Sequence, residues 1–376
     1  MITLATGIEL LRPPIVEFGV GKVDRLSQWV SSRGVKRTLV IAGGFNAGRA
    51  GLLAVPGEVS VFGGVAPEPD ASCLDAAVAA ARAFEPELVV GFGGGSAMDI
   101  AKLVAVMADS QQSLGEIAGP EKVLGRRIAL AQVATTAGTG SEVGTRALVT
   151  DPVTSNKVAV QSRFMLADIA IVDPELMRSV PAQITAETGV DAMAHCVEAY
   201  TSIKAHPIID HYALEGARLA GRYLGRAVAD GNDSEARAGL ALASHYGGIC
   251  LGPVNTAGGH AIAYPLGTRH KIAHGAANAV IFPQVLAYNA QAVAEKTAAV
   301  LAALGLQPSN DPATVLASAH GYCAGLGIEM RMSRRGVPED DLPAMADEAF
   351  AIKRLIDNNP RPLTRDAILQ IYRRAY

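Results

Sequence analysis

Asp191 and His195 stand four residues apart in Gly189-Val-Asp-Ala-Met-Ala-His-Cys-Val-Glu-Ala-Tyr200, on a face otherwise made of Ala192, Met193, Ala194, Val197 and Ala199. Residues at that spacing on an α-helix lie one above the other, so a carboxylate and an imidazole point at the same spot. Polar groups on so apolar a face need partners. The candidates are His260, in Gly259-His-Ala-Ile-Ala-Tyr264-Pro-Leu-Gly267, and His274, in Ile272-Ala-His-Gly-Ala-Ala-Asn278. Both sit amid small or apolar residues at a helix start or turn. One carboxylate and three neutral imidazoles form a monoanionic set suited to Fe²⁺ or Zn²⁺. Four such ligands with an open position would polarise an alcohol or carbonyl oxygen. Taken singly, each imidazole reads equally as a core histidine satisfied by a hydrogen bond, with Asp191 as the partner of His195. Spacing alone leaves both readings open. His206, His211, His245 and His320 lie on polar or irregular stretches and receive no role.

Two glycine-rich loops suggest a second chemistry. The apolar run Leu88 to Phe92 leads into Gly93-Gly-Gly-Ser-Ala-Met-Asp-Ile-Ala-Lys102, where a helix begins. Without Cβ atoms, the glycines let backbone N–H groups approach a phosphate, and the helix N-terminus adds its dipole. The spacing departs from the dinucleotide fingerprint, since Ser96 occupies the third glycine position after Gly91 and Gly93, and the GxxxxGK[ST] pattern is absent. A tight turn is the alternative. The second loop, Thr135-Thr-Ala-Gly-Thr-Gly-Ser-Glu142, follows the run Ile128 to Ala134 and offers hydroxyls and glycines to ribose and phosphate oxygens; its alternative is a solvated turn before a hairpin. Both loops fall beyond the carboxyl ends of predicted strands, where open α/β sheets bind ligands.

The elements that must carry these residues change character near residue 180. Before it, the β-rich runs Thr38 to Ala42, Val59 to Phe62, Leu88 to Phe92 and Ile128 to Ala134 alternate with helical stretches such as Asp75 to Phe84, which indicates a doubly wound parallel sheet. After Pro181 the spacing predicts helices over 189–201, 208–230, 235–252, 256–266, 275–289 and 291–304, with about three more to Tyr376 and with Gly267 and Gly305 as breaks. The expected plan is an α/β domain at 1–180 and an all-helical domain at 181–376. Neither an internal repeat nor a low-complexity tract is visible.

Bulk properties exclude several classes. The 376 residues are 49% hydrophobic and 18% charged, with 33 Lys and Arg against 36 Asp and Glu, a formal net charge of -3. No positive excess points to nucleic acid or an anionic membrane. No apolar run approaches the roughly 18 residues of a membrane span. The first residues carry Glu9 and Arg12 in their apolar run and no basic leader, so no signal peptide is expected. Cys73, Cys196, Cys250 and Cys323 form no CxxC pair and suit a reducing cytoplasm.

Together the segments resemble the iron-containing (group III) alcohol dehydrogenase family over nearly the whole chain. The matching pieces are Gly93 to Lys102, Thr135 to Glu142, Asp173-Pro-Glu-Leu176, Gly189 to Tyr200, His260 to Gly267, and His274-Gly-Ala-Ala-Asn-Ala-Val-Ile-Phe-Pro283, in the family's order. The resemblance implies a Rossmann-like N-terminal domain and a helical C-terminal domain of the dehydroquinate synthase-like type, with NAD(H) or NADP(H) and Fe²⁺ or Zn²⁺ meeting between them. By position, Asp191, His195, His260 and His274 match the family's metal ligands and act catalytically through the metal. Gly94, Gly95 and Ser96 match the pyrophosphate site, with Asp99 and Ser141 beside it. Thr135 and Thr136 lie near the nicotinamide end, and Lys157 near the cofactor ribose. Relatives further imply a homo-oligomer, a dimer or larger.

Two departures from the family pattern matter. Gly43 stands after Thr38 to Ala42 where many members have an aspartate that binds the adenosine ribose and repels a 2′-phosphate. Its loss removes a repulsion of ~1–4 kcal/mol, so NADPH is expected to be accepted. Tyr264, four residues after His260, stands where many members carry another His. A tyrosine hydroxyl titrates near ~10 when unperturbed and makes a poorer proton shuttle near neutrality, so Tyr264 is either a catalytic hydrogen-bonding group or a wall of the pocket. The expected reaction is hydride transfer between a nicotinamide and a small primary alcohol or aldehyde. An anionic group on the substrate is suggested by Arg146 and the run Arg269-His270-Lys271, for which a solvated basic loop is the alternative. Rival readings are a maleylacetate reductase-like oxidoreductase, a dehydroquinate-synthase-like lyase and a non-catalytic binding protein. The complete ligand set argues against the first and last.

Overall fold

The computed structural model describes residues 5–152 and 157–376, which fall into two compact units. One comprises Leu10–Thr136 and Gly140–Arg178, and the other Ser179–Tyr376 together with described residues up to Glu9 and the three residues Ala137–Thr139.

Among the described residues the first unit has nine strands: β1 (Val16–Phe18), β2 (Arg37–Ala42), β3 (Glu58–Phe62), β4 (Leu88–Gly93), β5 (Gly119–Pro120), β6 (Ala129–Ala134), β7 (Arg146–Thr150), β8 (Lys157–Gln161) and β9 (Ile169–Val172). Six of them form one parallel sheet in the order β1-β9-β6-β4-β2-β3. Period-two alternation divides each central strand between two cores. Leu39, Ile41, Val89 and Leu130 enter a cluster with Leu74, Val78, Ile100 and Val104 of the helices Ala71–Phe84 and Gly95–Met107. Val40, Val90, Ala131 and Val133 enter another with Leu26, Trp29 and Val30 of the helix Asp24–Arg33. Both faces are covered, and β4 is buried at every residue, as a doubly wound sheet requires. The four expected runs are β2, β3, β4 and β6. The outer strand β1, the strand β9 and the small sheet β5-β8-β7, in which β7 and β8 pair antiparallel, had no such expectation.

Among the described residues the second unit contains helices and no strand. The helix Ala182–Thr201 begins seven residues before the expected 189 and is buried at nearly every position from Thr185 onward. It packs against the helices Pro207–Ala229, Ser234–Leu251 and His274–Asn289. Close approach demands small residues: a Cβ on Gly216 would lie 2.5 Å from the Cys196 sulfur. Caps fix several starts. Asp233 accepts the Ala236 N–H at 3.0 Å, and the His206 ring accepts the Ile208 N–H at 3.2 Å ahead of Pro207, which gives His206 a structural task.

Gly267 was expected to break a helix, yet the helix Gly258–His270 runs through both Pro265 and Gly267 and stops at Lys271, whose φ of 58° is left-handed. Burial of Ala261, Ile262, Ala263 and Leu266 against the C-terminal helices outweighs the weak propensity. No described helix is long and apolar enough to cross a membrane.

Candidate functional site

Asp191, His195 and Glu198 occupy positions i, i+4 and i+7 of the helix Ala182–Thr201, and so share one face. His260 is the third residue of the helix Gly258–His270, and His274 opens the helix His274–Asn289. The fold brings all four sequence-predicted ligands together. One ligand atom from each of Asp191, His195, His260 and His274 lies within 4.8 Å of every other. From Asp191 Oδ1, the Nε2 atoms of His260, His274 and His195 stand at 3.4, 3.7 and 3.8 Å. Ligand atoms about 2.0–2.2 Å from a tetrahedral cation are separated by about 3.3–3.6 Å, so the three carboxylate–imidazole distances stand within a few tenths of an ångström of a closed shell.

The donor chemistry fits a divalent cation as well. His260 Nε2, one of these ligand atoms, is buried without a hydrogen-bond partner, and an unsatisfied buried polar atom costs roughly 1–3 kcal/mol. Asp191, His195 and His260 are almost fully buried, whereas the His274 side chain is 28% exposed, so the cluster opens on the His274 side. The rings of His195 and His260 stack with centroids 4.7 Å apart, and Tyr264 lies 5.9 Å from the His274 ring.

Electrostatics separate the three imidazoles. Burial holds the His195 pKa down to about 4, against the pull of Asp191. Burial also opposes a charge on His260, but Glu198 and Asp191 outweigh it and raise that ring to about 10. For Asp191, burial opposes ionisation, but His195, His274 and His260 prevail and hold the carboxyl well below the usual carboxylate range. The ring with its own carboxylate takes the positive charge when no cation is present.

Two residues of this centre were not anticipated. The Glu198 carboxylate sits 2.7 Å from His260 Nδ1, and the Asn278 amide donates to Asp191 Oδ1 at 2.7 Å and lies 3.1 Å from His274 Nε2. Helical spacing was the available signal, since Glu198 follows His195 by three residues and Asn278 follows His274 by four.

The residues of the two glycine-rich loops lie in the other unit, Ala137–Thr139 excepted. β4 and β6 are neighbours in register, with Gly93 opposite Ala134, so the loops that follow them emerge side by side. Gly94 caps the helix Gly95–Met107 with no side-chain hydrogen bond, which leaves the first-turn N–H groups at Gly95 and Ser96 available to an anion. A Cβ on Gly94 would lie 3.0 Å from Thr136 Oγ1, and Thr135 Oγ1 accepts from the Asn46 amide at 3.1 Å. Gly43 follows β2, where a Cβ would lie 3.0 Å from the Val65 carbonyl oxygen.

The remaining candidates are engaged internally. Asp99 accepts from Ser141 Oγ at 2.6 Å and from the Leu148 N–H at 3.0 Å. The buried Lys102 ammonium donates to Ser141 Oγ at 2.6 Å, so Asp99 and Ser141 tie β7 to the Gly95–Met107 helix. Lys157 pairs with Glu68 and donates to Thr150 Oγ1 at 3.0 Å. Arg269 pairs with Glu348 at 2.7 Å and Asp341 at 3.4 Å, His270 faces Asp341 at 3.3 Å, and Lys271 donates to the Thr268 carbonyl at 3.2 Å. Arg269 and His270 form the last turn of the helix Gly258–His270 and Lys271 caps it, with Asp341 and Glu348 set against their charge. Arg146 donates to Gln161 at 3.1 Å across the β7–β8 pair.

Comparison with known proteins agrees with this geometry. Residues 13–174 match the family model described as iron-containing alcohol dehydrogenase, and residues 185–376 match that of the C-terminal region of the Fe-containing alcohol dehydrogenase family. The chain is 36% identical over 379 residues to long-chain-alcohol dehydrogenase 1 of Geobacillus thermodenitrificans, covering 97% of this chain and 95% of the relative. A solved 1,3-propanediol oxidoreductase superimposes with a TM-score of 0.92 at 31% identity, covering 99% of this chain and 100% of the other. The sulfoacetaldehyde reductase from Bifidobacterium kashiwanohense, solved in complex with NAD+, superimposes with a TM-score of 0.88 at 28% identity, covering 99% of each. The chain belongs to the iron-containing alcohol dehydrogenase family, and its activity is that of an alcohol dehydrogenase.

Proposed function

We propose that the protein is a metal-dependent, NAD(P)-linked reductase of a small aldehyde, working reversibly as a dehydrogenase of the corresponding primary alcohol. The observation that carries this reading is the convergence of Asp191, His195, His260 and His274, one formal negative charge among three imidazoles. When bound, Fe²⁺ or Zn²⁺ supplies Lewis acidity that lowers an alcohol's pKa and polarises a carbonyl, and the nicotinamide supplies or accepts the hydride. In this division of labour residues 1–180 hold the dinucleotide and residues 181–376 hold the cation and substrate.

Asp191, His195, His260 and His274 offer the four lone pairs, and the exposed side of His274 is where substrate enters. Tyr264, beside His274, forms a wall of the pocket. The N–H groups of Gly95 and Ser96 receive the pyrophosphate, with Gly94 giving it close backbone approach. Thr135 and Thr136 flank the nicotinamide end, Lys157 serves the ribose, and Asp99 and Ser141 hold this loop system in shape. Gly43 places no carboxylate against a 2′-phosphate, which supports use of NADPH as well as NADH; a large preference for NADH in kcat/KM would refute that.

A finer reading, that the aldehyde bears an anionic group, is favoured by Arg354. Its guanidinium lies over the Tyr264 ring at 5.9 Å, and it has no ion-pair partner among the described residues. The likeness to a sulfoacetaldehyde reductase supports the same reading. Arg354→Met should lower kcat/KM for succinic semialdehyde about tenfold or more relative to butyraldehyde, the value of a lost charge-assisted hydrogen bond; equal effects on both substrates would refute the role of Arg354.

Free cysteines at 73, 196, 250 and 323 support a cytoplasmic setting. The sheet's outer strands β1 and β3 support a homodimer, to be read by light scattering. Loss of reduced-nicotinamide absorbance across a panel of aldehydes and maleylacetate tests the function as a whole. Turnover of maleylacetate alone would replace this reading with the maleylacetate reductase one.

A further inference from the structure

We infer that Glu198 is a positioning residue for the cation: its carboxylate fixes the tautomer and orientation of His260, so that Nε2 turns a lone pair toward Asp191, His195 and His274. The inference rests on the metal-dependent reading above.

The Glu198 side chain is almost fully buried, and both of its oxygens are engaged. Oε1 lies 2.7 Å from His260 Nδ1, and Oε2 accepts the Ala257 N–H at 2.5 Å. A carboxylate held from two directions cannot swing away. An ionised carboxylate only accepts hydrogen bonds, so the proton between it and the ring belongs to Nδ1. Nε2, buried and without a hydrogen-bond partner, is then the nitrogen left to ligate. A carboxylate behind a ligating histidine also raises the basicity of the ring toward a metal.

The local backbone is shaped for this contact. A Cβ on Gly259 would lie 2.5 Å from Glu198 Oε1, so any larger residue before His260 would push the carboxylate off the ring. Because Glu198 shares its helix face with Asp191 and His195, a single element supplies two ligands and the support of a third.

The experiment uses chelator-stripped full-length protein, Co²⁺ and Zn²⁺ as probes, and the variants Glu198→Gln, Glu198→Ala and Gly259→Ala. Gly259→Ala displaces the carboxylate while leaving the net charge unchanged, and it keeps the test open if Glu198→Ala fails to fold. We expect metal affinity 10–100-fold weaker in each folded variant, the usual loss when such a support is removed, and a Co²⁺ visible band shifted from that of the wild type. Wild-type affinity and band in the variants would overturn the inference, even with a lowered Tm, because Glu198 would then only cap Ala257. Wild-type protein that takes up neither ion would overturn the metal-dependent reading itself.

Discussion

Asp191→Asn removes one charge and almost nothing else. The amide keeps an oxygen near the place of Oδ1, the buried Asn278 amide can still donate to it, and His260 retains Glu198. The substitution therefore isolates electrostatics from shape. A divalent cation about 2.1 Å from a carboxylate oxygen gains about 4 kcal/mol even at the dielectric constant of bulk water, and more in a site as buried as this one. That sets a floor of about 10³-fold on the loss of affinity, since 1.4 kcal/mol corresponds to a factor of ten. Cation content after dialysis against chelator, and Kd by competition, read the effect directly. Aldehyde reduction should fall in the same proportion at limiting metal and recover in part at saturating metal. An Asn variant that binds within tenfold of wild type would refute the reasoning, because the single anionic ligand would then contribute little.

Gly94→Ala should raise KM for the nicotinamide cofactor at least tenfold with little effect on metal content, because the new methyl lies 3.0 Å from Thr136 Oγ1 and occupies the approach to the first-turn N–H groups; cofactor titration by fluorescence checks it. The pH dependence of the metal-stripped protein has two arms. The depressed pKa of His195, about 4, makes its contribution present above about 6.5 and lost as pH falls toward 4. The raised pKa of His260, about 10, makes its contribution present below about 6.5 and lost as pH rises through 10. Urea midpoints from pH 4 to 10 should decline at both ends, and Glu198→Gln should flatten the alkaline arm. Tyr372→Phe deletes a buried 2.6 Å hydrogen bond to the Ile262 carbonyl, two residues beyond His260; chemical denaturation should show a loss of about 0.5–1.5 kcal/mol.

The parts legible in the sequence are those with strong periodicity. The Asp191 and His195 pair is visible from helical spacing, and the buried strands β2, β4 and β6 from continuous apolar runs. Convergence of His260 and His274 on that pair is a tertiary fact that no spacing encodes; the order of the motifs carried it. The strands missed from the parallel sheet are short. β1 has three residues, and β9 has four between Asp168 and Asp173, too few for alternation to stand out. The helix through Pro265 and Gly267 defeated local propensity because its apolar face is buried. Arg269 drew attention as a charge near His274, but its partners Asp341 and Glu348 lie over seventy residues away in the chain. Glu198 was in plain view on the ligand-bearing helix, and its role appears only once Ala257 and Gly259 fold against it.

Turnover, as proposed, requires a cation held by Asp191, His195, His260 and His274. Metal analysis of protein purified without oxygen, followed by stripping and stepwise restoration, tests this most directly. The prediction is one iron or zinc per chain and an aldehyde-reduction rate that rises in proportion to the metal restored. Full turnover by protein free of metal would contradict it.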